Sequence, residues 1–313
     1  MNIPPATAAP EKSTGIIVCD QARTAELLDY SKLVEAIAQA AAELETGTIL
    51  SPERLVVPLG DGGVLLSMPA TAADIGIHKL VNVQPGNAAR RLPTIHGTVT
   101  VCNAVTGQIM CVLDGPEVTG RRTAAVTLLA IHTLLSHEPM EFLLFGTGVQ
   151  ARYHLQAIHS RYPQSRVWVR GRNAKASADF CISYGGLHDR VQPCEANIPD
   201  VDVVITLTTS TRPIYNELAR PERLVIGVGA FKPEMAELGE VTLNSSDLYA
   251  DDPVGARHEA GDLLRANIDW ARVSSLSAAL RGPADASRPA VFKSVGTAAW
   301  DLAAARVALQ AMK

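Results

Sequence analysis

One stretch narrows the possible folds more than any other: Phe142-Leu143-Leu144-Phe145 running into Gly146-Thr147-Gly148-Val149-Gln150-Ala151. An apolar strand meets a glycine-punctuated turn, and a helical pattern follows. Gly146 permits the tight turn, Gly148 lets backbone approach a pyrophosphate, and the small Ala151 allows close helix–strand packing. The phosphates would sit on free N–H groups at the helix N-terminus. An ordinary glycine turn in an α/β domain has the same letters. The strand before it and the helix after it are what favour a dinucleotide.

The surrounding pattern agrees. Beyond residue 140 short apolar strands (Glu141–Phe145, Arg166–Val169, Val201–Leu207, Leu224–Val228, Asp247–Ala250) alternate with helical stretches, Ala174–Tyr184 among them. Continuously apolar strands separated by helices predict a parallel sheet covered on both faces. Before residue 140 the grammar differs. Residues 28–46 carry Leu33, Ile37, Ala40, Ala41 and Leu44 at helical spacing, with Gly47 where a C-cap belongs. Short β-like runs follow (Leu55–Leu59, Val64–Met68, Ile75–Val83, Thr98–Val101, Ile109–Leu113), separated by turn residues. They predict a mostly antiparallel sheet, then an apolar helix over 122–137. The chain therefore reads as an α+β domain followed by a doubly wound α/β domain, with a last helix, 296–313, able to return to the first. A length of 313 residues suits two domains.

Composition removes several classes of function. With 47% apolar and 19% charged residues the chain is not intrinsically disordered. A net charge of −4 argues against a nucleic-acid partner, which needs a basic stripe. No run approaches the roughly eighteen apolar residues of a membrane span. The N-terminal residues 1–15 lack a secretory pattern and read as a loosely docked arm. Cys19, Cys102, Cys111, Cys181 and Cys194 are odd in number and form no CxxC pair, and the eight histidines show no HExxH. A zinc site and a disulfide framework are thus not expected, and the cysteines fit a reducing cytoplasm as small core residues.

Two features bear on chemistry. The strand after the glycine turn ends in Arg170-Gly171-Arg172-Asn173, with no acid where NAD-binding units hold the ribose 2′-OH. Guanidiniums there suit a 2′-phosphate, hence NADP(H), unless they are solvated surface charge. In Ile75–Val83, Lys79 lies on the same strand face as Ile75, Ile77, Val81 and Val83. It is either a partly buried ammonium with a lowered pKa, fit to serve a substrate as proton donor or counter-ion, or a snorkelling stem. Arg54 at a strand start is an exposed charge or an anion ligand. Arg121-Arg122, read as opening an apolar helix, opposes the macrodipole there and calls for an anion nearby.

These pieces together resemble the ornithine cyclodeaminase/mu-crystallin family. The resemblance runs from about residue 20 to the C-terminus. Arg54, HKLVNV with Lys79, LPTIHGTVTV, LDGPEVTGRRTAA, FGTGVQA, VGAFKPEMAEL, EAGDL (259–263) and FKSVGTAAWDLAAA (292–305) carry it. It implies a Rossmann domain (121–295) inserted into a substrate-binding and dimerisation domain (1–120 plus 296–313), a homodimer, a nicotinamide cofactor and small imino- or amino-acid substrates. Arg54, Lys79 and Arg122 match the residues that grip the substrate carboxylate, with Lys79 the candidate catalytic group. Gly146, Gly148, Val149 and Gln150 match the diphosphate turn, and Thr123 a residue near the phosphates. Arg172 and Asn173 match the pair that follows the second Rossmann strand and marks NADP users, with Arg170 beside them at the strand end, and Ser294, Val295 and Gly296 match the stretch beside the nicotinamide.

One departure bears on the reaction. Where ornithine cyclodeaminases carry a catalytic aspartate, this chain has Phe231, and Met235 replaces a lysine. A phenyl ring cannot take a proton from a side-chain amine. The resemblance then implies an NADPH-dependent reductase of cyclic ketimines, giving L-proline or L-pipecolate. An alanine-dehydrogenase-like enzyme, a cyclodeaminase and a non-enzymatic NADPH-bound ligand carrier are the alternatives.

Overall fold

The computed structural model describes residues 15–194, 197–282, 285 and 287–313. Residues 1–14, most of the stretch read as an N-terminal arm, lie outside them. The chain enters through strand β1 (Ile17–Val18), helices α1 (Gln21–Leu27) and α2 (Tyr30–Glu45), and strands β2 (Leu55–Leu59), β3 (Gly63–Thr71), β4 (Ile75–Val83), β5 (Ile95–Asn103) and β6 (Ile109–Asp114). The strands form one sheet in the order β1-β6-β5-β4-β3-β2. Its hairpin-linked strands are antiparallel, as the short turns predict, while β1 adds a parallel edge beside β6 that the sequence pattern did not flag. The strand alternation places Ile75, Ile77, Lys79 and Val81 on the buried face of β4, beside Met68 of β3 and Val99 of β5.

Helix α3 spans Gly115–Leu134, seven residues earlier at its start and three shorter at its end than expected. Asp114 is its N-cap, with the carboxylate accepting the Glu117 amide at 2.7 Å, and a proline occupies the first turn. Arg121 and Arg122 therefore lie inside the helix, and the macrodipole gives no reason for an anion beside them. The expected domain boundary at 120/121 also falls within α3.

From α3 the chain enters strand β7 (Glu141–Phe145), helix α4 (Val149–Arg161), strand β8 (Arg166–Arg170), helix α5 (Ala174–Tyr184) and strands β9 (Val191–Pro193), β10 (Val203–Thr206), β11 (Thr211–Tyr215), β12 (Leu224–Gly227) and β13 (Ala236–Leu238). Helix α6 (Glu240–Asn244), strand β14 (Asp247–Ala250), helices α7 (Pro253–Glu259) and α8 (Gly261–Arg265), strand β15 (Val273–Ser275), helix α9 (Leu276–Leu280), strand β16 (Ala290–Lys293) and helix α10 (Ala298–Ala311) complete it. Eight of these strands form an all-parallel sheet in the order β15-β14-β16-β12-β10-β7-β8-β9. Strand order reverses between β7 and β10, which makes their C-terminal ends the ligand crevice of a doubly wound sheet. The sequence pattern gave no sign of β16. This four-residue strand inserts between β12 and β14 and carries residues 294–296 to that same edge. Helix α10 then returns to pack on α2, β3 and β4 of the first sheet, as expected.

Candidate active site

The glycine turn sits at the switch point. Gly146 has φ +124°, and a Cβ there would come 2.9 Å from the Leu207 carbonyl oxygen beyond β10, so only glycine fits. Gly148 is the N-cap of α4 and offers no side chain to its first amides. The space over Gly148 is open to 4 Å, and the Gln150 Oε1 is buried without a partner. Uncapped amides beneath open space, at a helix N-terminus, fit a diphosphate. Val149 is exposed in the first turn, and Thr123 is buried in α3.

Beyond β8 the second loop abuts the first. The Thr147 methyl lies 3.0 Å from where a Gly171 Cβ would be. Arg170 carries its guanidinium 5.6 Å from the Phe145 ring centroid, Arg172 is exposed, and Asn173 is the N-cap of α5, accepting the Ala176 amide at 2.8 Å. The Asn173 side chain thus has a local task as helix cap.

The three expected cations come together only in part. Lys79 is 2% exposed, more deeply buried than expected, and its Nζ donates to Asp301 Oδ1 at 2.9 Å. Arg122 Nε donates to the same oxygen at 3.2 Å. Asp301 is fully buried in the first turn of α10, and its Oδ2 has no partner. Burial pushes the Lys79 ammonium down to about 8; Asp301 opposes that, while Arg122 and Arg54 reinforce it. Gly296, at φ +80°, lies against Arg122: a Cβ there would meet Nη1 at 2.8 Å. Arg54 stands apart from this pair. Its Nη2 donates to the carbonyls of Gly296 (2.8 Å) and Val295 (3.3 Å) and lies 2.8 Å from Glu259 Oε2. Burial raises the Glu259 carboxyl against the pull of Arg54.

Buried carboxylates fix the loops around these cations. Asp251 accepts from Ser294 Oγ (2.8 Å) and from the amides of Val295 (2.9 Å) and Gly296 (3.0 Å). It also accepts from the Trp300 indole at 3.2 Å. Glu237 accepts from the amides of Gly229 (2.7 Å) and Ala230 (3.1 Å), and from the hydroxyls of Thr206 (3.0 Å) and Thr208 (2.8 Å). It thereby pins the loop that leads to the half-buried Phe231. Lys293 and Asp262, both fully buried, pair at 2.7 Å, and Asp262 also accepts the Leu238 amide. A cleft of 580 Å³ opens between the two sheets, lined by Arg54, Met68, Asp252, Glu259, Gly296 and Trp300 among others. Of the expected residues only Arg54 and Gly296 reach its wall. Arg122 sits behind Gly296, Lys79 joins it through their shared oxygen on Asp301, and Phe231 is not part of the wall.

Sequence reasoning missed Asp301, Asp251 and Glu237. For Asp301 a signal existed. It is an acid among Trp300, Leu302 and alanines on an apolar helix, and it is out of phase in the way Lys79 is on its strand.

A family model for the ornithine cyclodeaminase/mu-crystallin family matches residues 16–313. A Delta(1)-pyrroline-2-carboxylate reductase of Burkholderia ambifaria is 53% identical over 295 residues, covering 94% of this chain and 95% of that protein. A Delta(1)-pyrroline-2-carboxylate/Delta(1)-piperideine-2-carboxylate reductase of Azospirillum brasilense is 53% identical, covering 95% of this chain and 96% of its own. Among solved structures, Thermococcus litoralis Delta(1)-pyrroline-2-carboxylate reductase in complex with NADH and L-proline superposes with a TM-score of 0.85. It is 23% identical and covers 95% of this chain and 97% of its own, a likeness of fold.

Proposed function

The chain belongs to the ornithine cyclodeaminase/mu-crystallin family, and from that premise we propose that it reduces cyclic ketimines with NADPH. Δ1-Pyrroline-2-carboxylate would give L-proline, and Δ1-piperideine-2-carboxylate L-pipecolate. The observation that carries this reading is a buried lysine held beside an arginine behind Gly296, at the edge where the parallel sheet presents its dinucleotide crevice. Support from kinship is strong, since relatives 53% identical over nearly the whole chain bear those substrates in their names.

The residues divide the work as follows. Gly146, Gly148, Val149 and Gln150 would hold the diphosphate, with Thr123 nearby. Arg170 and Arg172 would pair with the 2′-phosphate, beside Asn173, and this favours NADPH over NADH. Ser294, Val295 and Gly296, locked by Asp251, would border the nicotinamide. When bound, the reduced nicotinamide supplies the hydride that the C=N carbon accepts.

A ketimine carbon accepts hydride readily only when its nitrogen is protonated. Lys79 uses one N–H on Asp301, and its other two have no acceptor among the described residues. One of them is the proton source for the imine nitrogen, directly or through a water. Arg122 spends only Nε on Asp301, which leaves its Nη groups, next to Gly296, for the substrate carboxylate. Arg54 supplies a second positive charge at the cleft wall, already tied to residues 295 and 296. Phe231 in place of an acid removes the base that cyclisation of ornithine needs.

A homodimer belongs to the same proposal. Helices cover one face of the six-stranded sheet, while edge strand β2 leaves Leu55, Val56, Val57 and Leu59 exposed, an apolar edge suited to a second copy. A cytoplasmic setting agrees with cysteines that are odd in number and scattered along the chain. The deciding experiment is NADPH oxidation with the five- and six-membered ketimines, with ornithine as the negative control. Turnover of neither ring would overturn the proposal.

A further inference from the structure

Among the described residues, Asp301 is the only carboxylate bonded to Lys79 or to Arg122, and both cations share its one oxygen, Oδ1. We propose that Asp301 is a positioning residue for the reduction: its carboxylate holds Lys79 in the charged form beside Arg122 and so sets the pH range over which the proton is delivered. This rests on the functional reading above, in which Lys79 is the proton source.

The geometry leaves little else to play that part. The charged groups facing Lys79 are Asp301 from α10, Arg122 from α3 and Arg54 from the segment before β2. Its cross-strand neighbours on β3 and β5, Met68 and Val99, are apolar. Arg54 already has an anion in Glu259. Asp301 alone therefore balances two buried cations. It lies in the first turn of α10, at the positive end of the helix dipole, where an acidic side chain is favourably placed. If that charge is removed, Lys79 and Arg122 face each other in a desolvated site. A guanidinium keeps its proton, so the lysine is the group that yields. A neutral amine at Lys79 has no proton to give at neutral pH, whereas Arg122 still binds a carboxylate. The expected signature is a loss in kcat with little change in KM.

The unpartnered Oδ2 adds to this. Among the described residues no donor reaches it. Both cations converge on the other oxygen instead, which fixes the lysine relative to the arginine.

The test is Asp301→Asn, followed by NADPH oxidation with the better cyclic ketimine across pH. The basic limb of kcat should move down by about one unit or more, which is roughly a tenfold loss at a pH above the shifted limb. KM for the ketimine should stay within about threefold. In a Lys79→Met background the same substitution should cost less than about threefold further, since Asp301 acts through the lysine. If Asp301→Asn does not fold, Asp301→Glu decides. It keeps the charge and displaces the carboxylate, and should lower kcat about tenfold with KM held. An unshifted limb in Asp301→Asn, a full additional loss in the Lys79→Met background, or wild-type kcat in Asp301→Glu would overturn the assignment. Absence of ketimine reduction by the wild type would instead defeat the functional reading.

Discussion

Replacing Lys79 by Met probes the proposed chemistry most directly. The side chain is nearly isosteric with the lysine stem, so the space among Met68, Val99 and Asp301 stays filled. What disappears is one charge and three N–H donors. Burial has already pushed this ammonium from 10.5 to about 8, a depression equivalent to about 3 kcal/mol. That makes it a much stronger acid than a surface lysine while leaving it protonated at neutral pH. Loss of a positioned general acid costs at least about a hundredfold, and kcat/KM for the ketimine should fall by that much or more. In the wild type, kcat should hold steady up to about pH 8 and then decline about tenfold per unit as Lys79 loses its proton. Lys79→Met should lack that limb. The assay is NADPH oxidation followed across pH 6–10 (about four units, enough to bracket the limb), with NADPH binding measured by fluorescence to show that the cofactor site survives. Turnover within about threefold of wild type, or a basic limb unchanged in the variant, would refute the reasoning and leave Lys79 as a structural cation.

Three further outcomes follow from the same geometry. Because the folded-state pKa of Lys79 is depressed, the unfolded chain binds more protons between about pH 8 and 10.5. Stability relative to Lys79→Met should therefore rise with pH across that window, and denaturant midpoints showing no such difference would contradict the burial assigned to Lys79. Arg172→Ala should narrow the preference for NADPH over NADH by about tenfold or more, mainly through KM, since a charge-assisted hydrogen bond contributes about 1.5–3 kcal/mol; equal KM values for both cofactors in the wild type would remove the basis for NADP(H). The wild type should release no ammonia from ornithine above background, since Phe231 stands where the resemblance places a catalytic aspartate; robust ornithine-dependent ammonia release would make the chain a cyclodeaminase.

The residues show why some of this is legible in the sequence and some is not. The glycine turn can be read because its demands are local. A φ of +124° at Gly146 and an uncapped helix start at Gly148 are properties of a few consecutive residues. Lys79 can be singled out because strand alternation is local too, and one residue out of phase stands out against its neighbours. The start of α3 is hard to place for an equally local reason. Gly115, Pro116 and Gly120 look like turn residues, whereas Asp114 caps the helix and the proline sits in the first turn, where its missing N–H costs nothing. The macrodipole conflict expected at Arg122 therefore does not exist, and the anion that this arginine does need lies elsewhere.

That anion shows where local reading stops. Asp301 is 222 residues from Lys79 and 179 from Arg122, and no periodicity links them. Each is separately a charge on an apolar face, though, and a fold cannot leave such charges unpaired. A lysine out of phase on one element and an aspartate out of phase on another together constrain how those elements can pack. Applied to this chain, the constraint pairs Lys79 with one of the buried acids: Glu117 is held by Arg121 and Asp251 by residues 294–296, which leaves Asp301 on α10, or Asp262 and Glu237 near β13. The topology then selects. Asp262 and Glu237 lie with the parallel sheet, where Asp262 meets Lys293 and Glu237 binds loop amides. Helix α10 is the element that returns from that sheet to β4. The helix that joins the cofactor edge to the substrate strand thus also brings the carboxylate that the lysine on that strand requires.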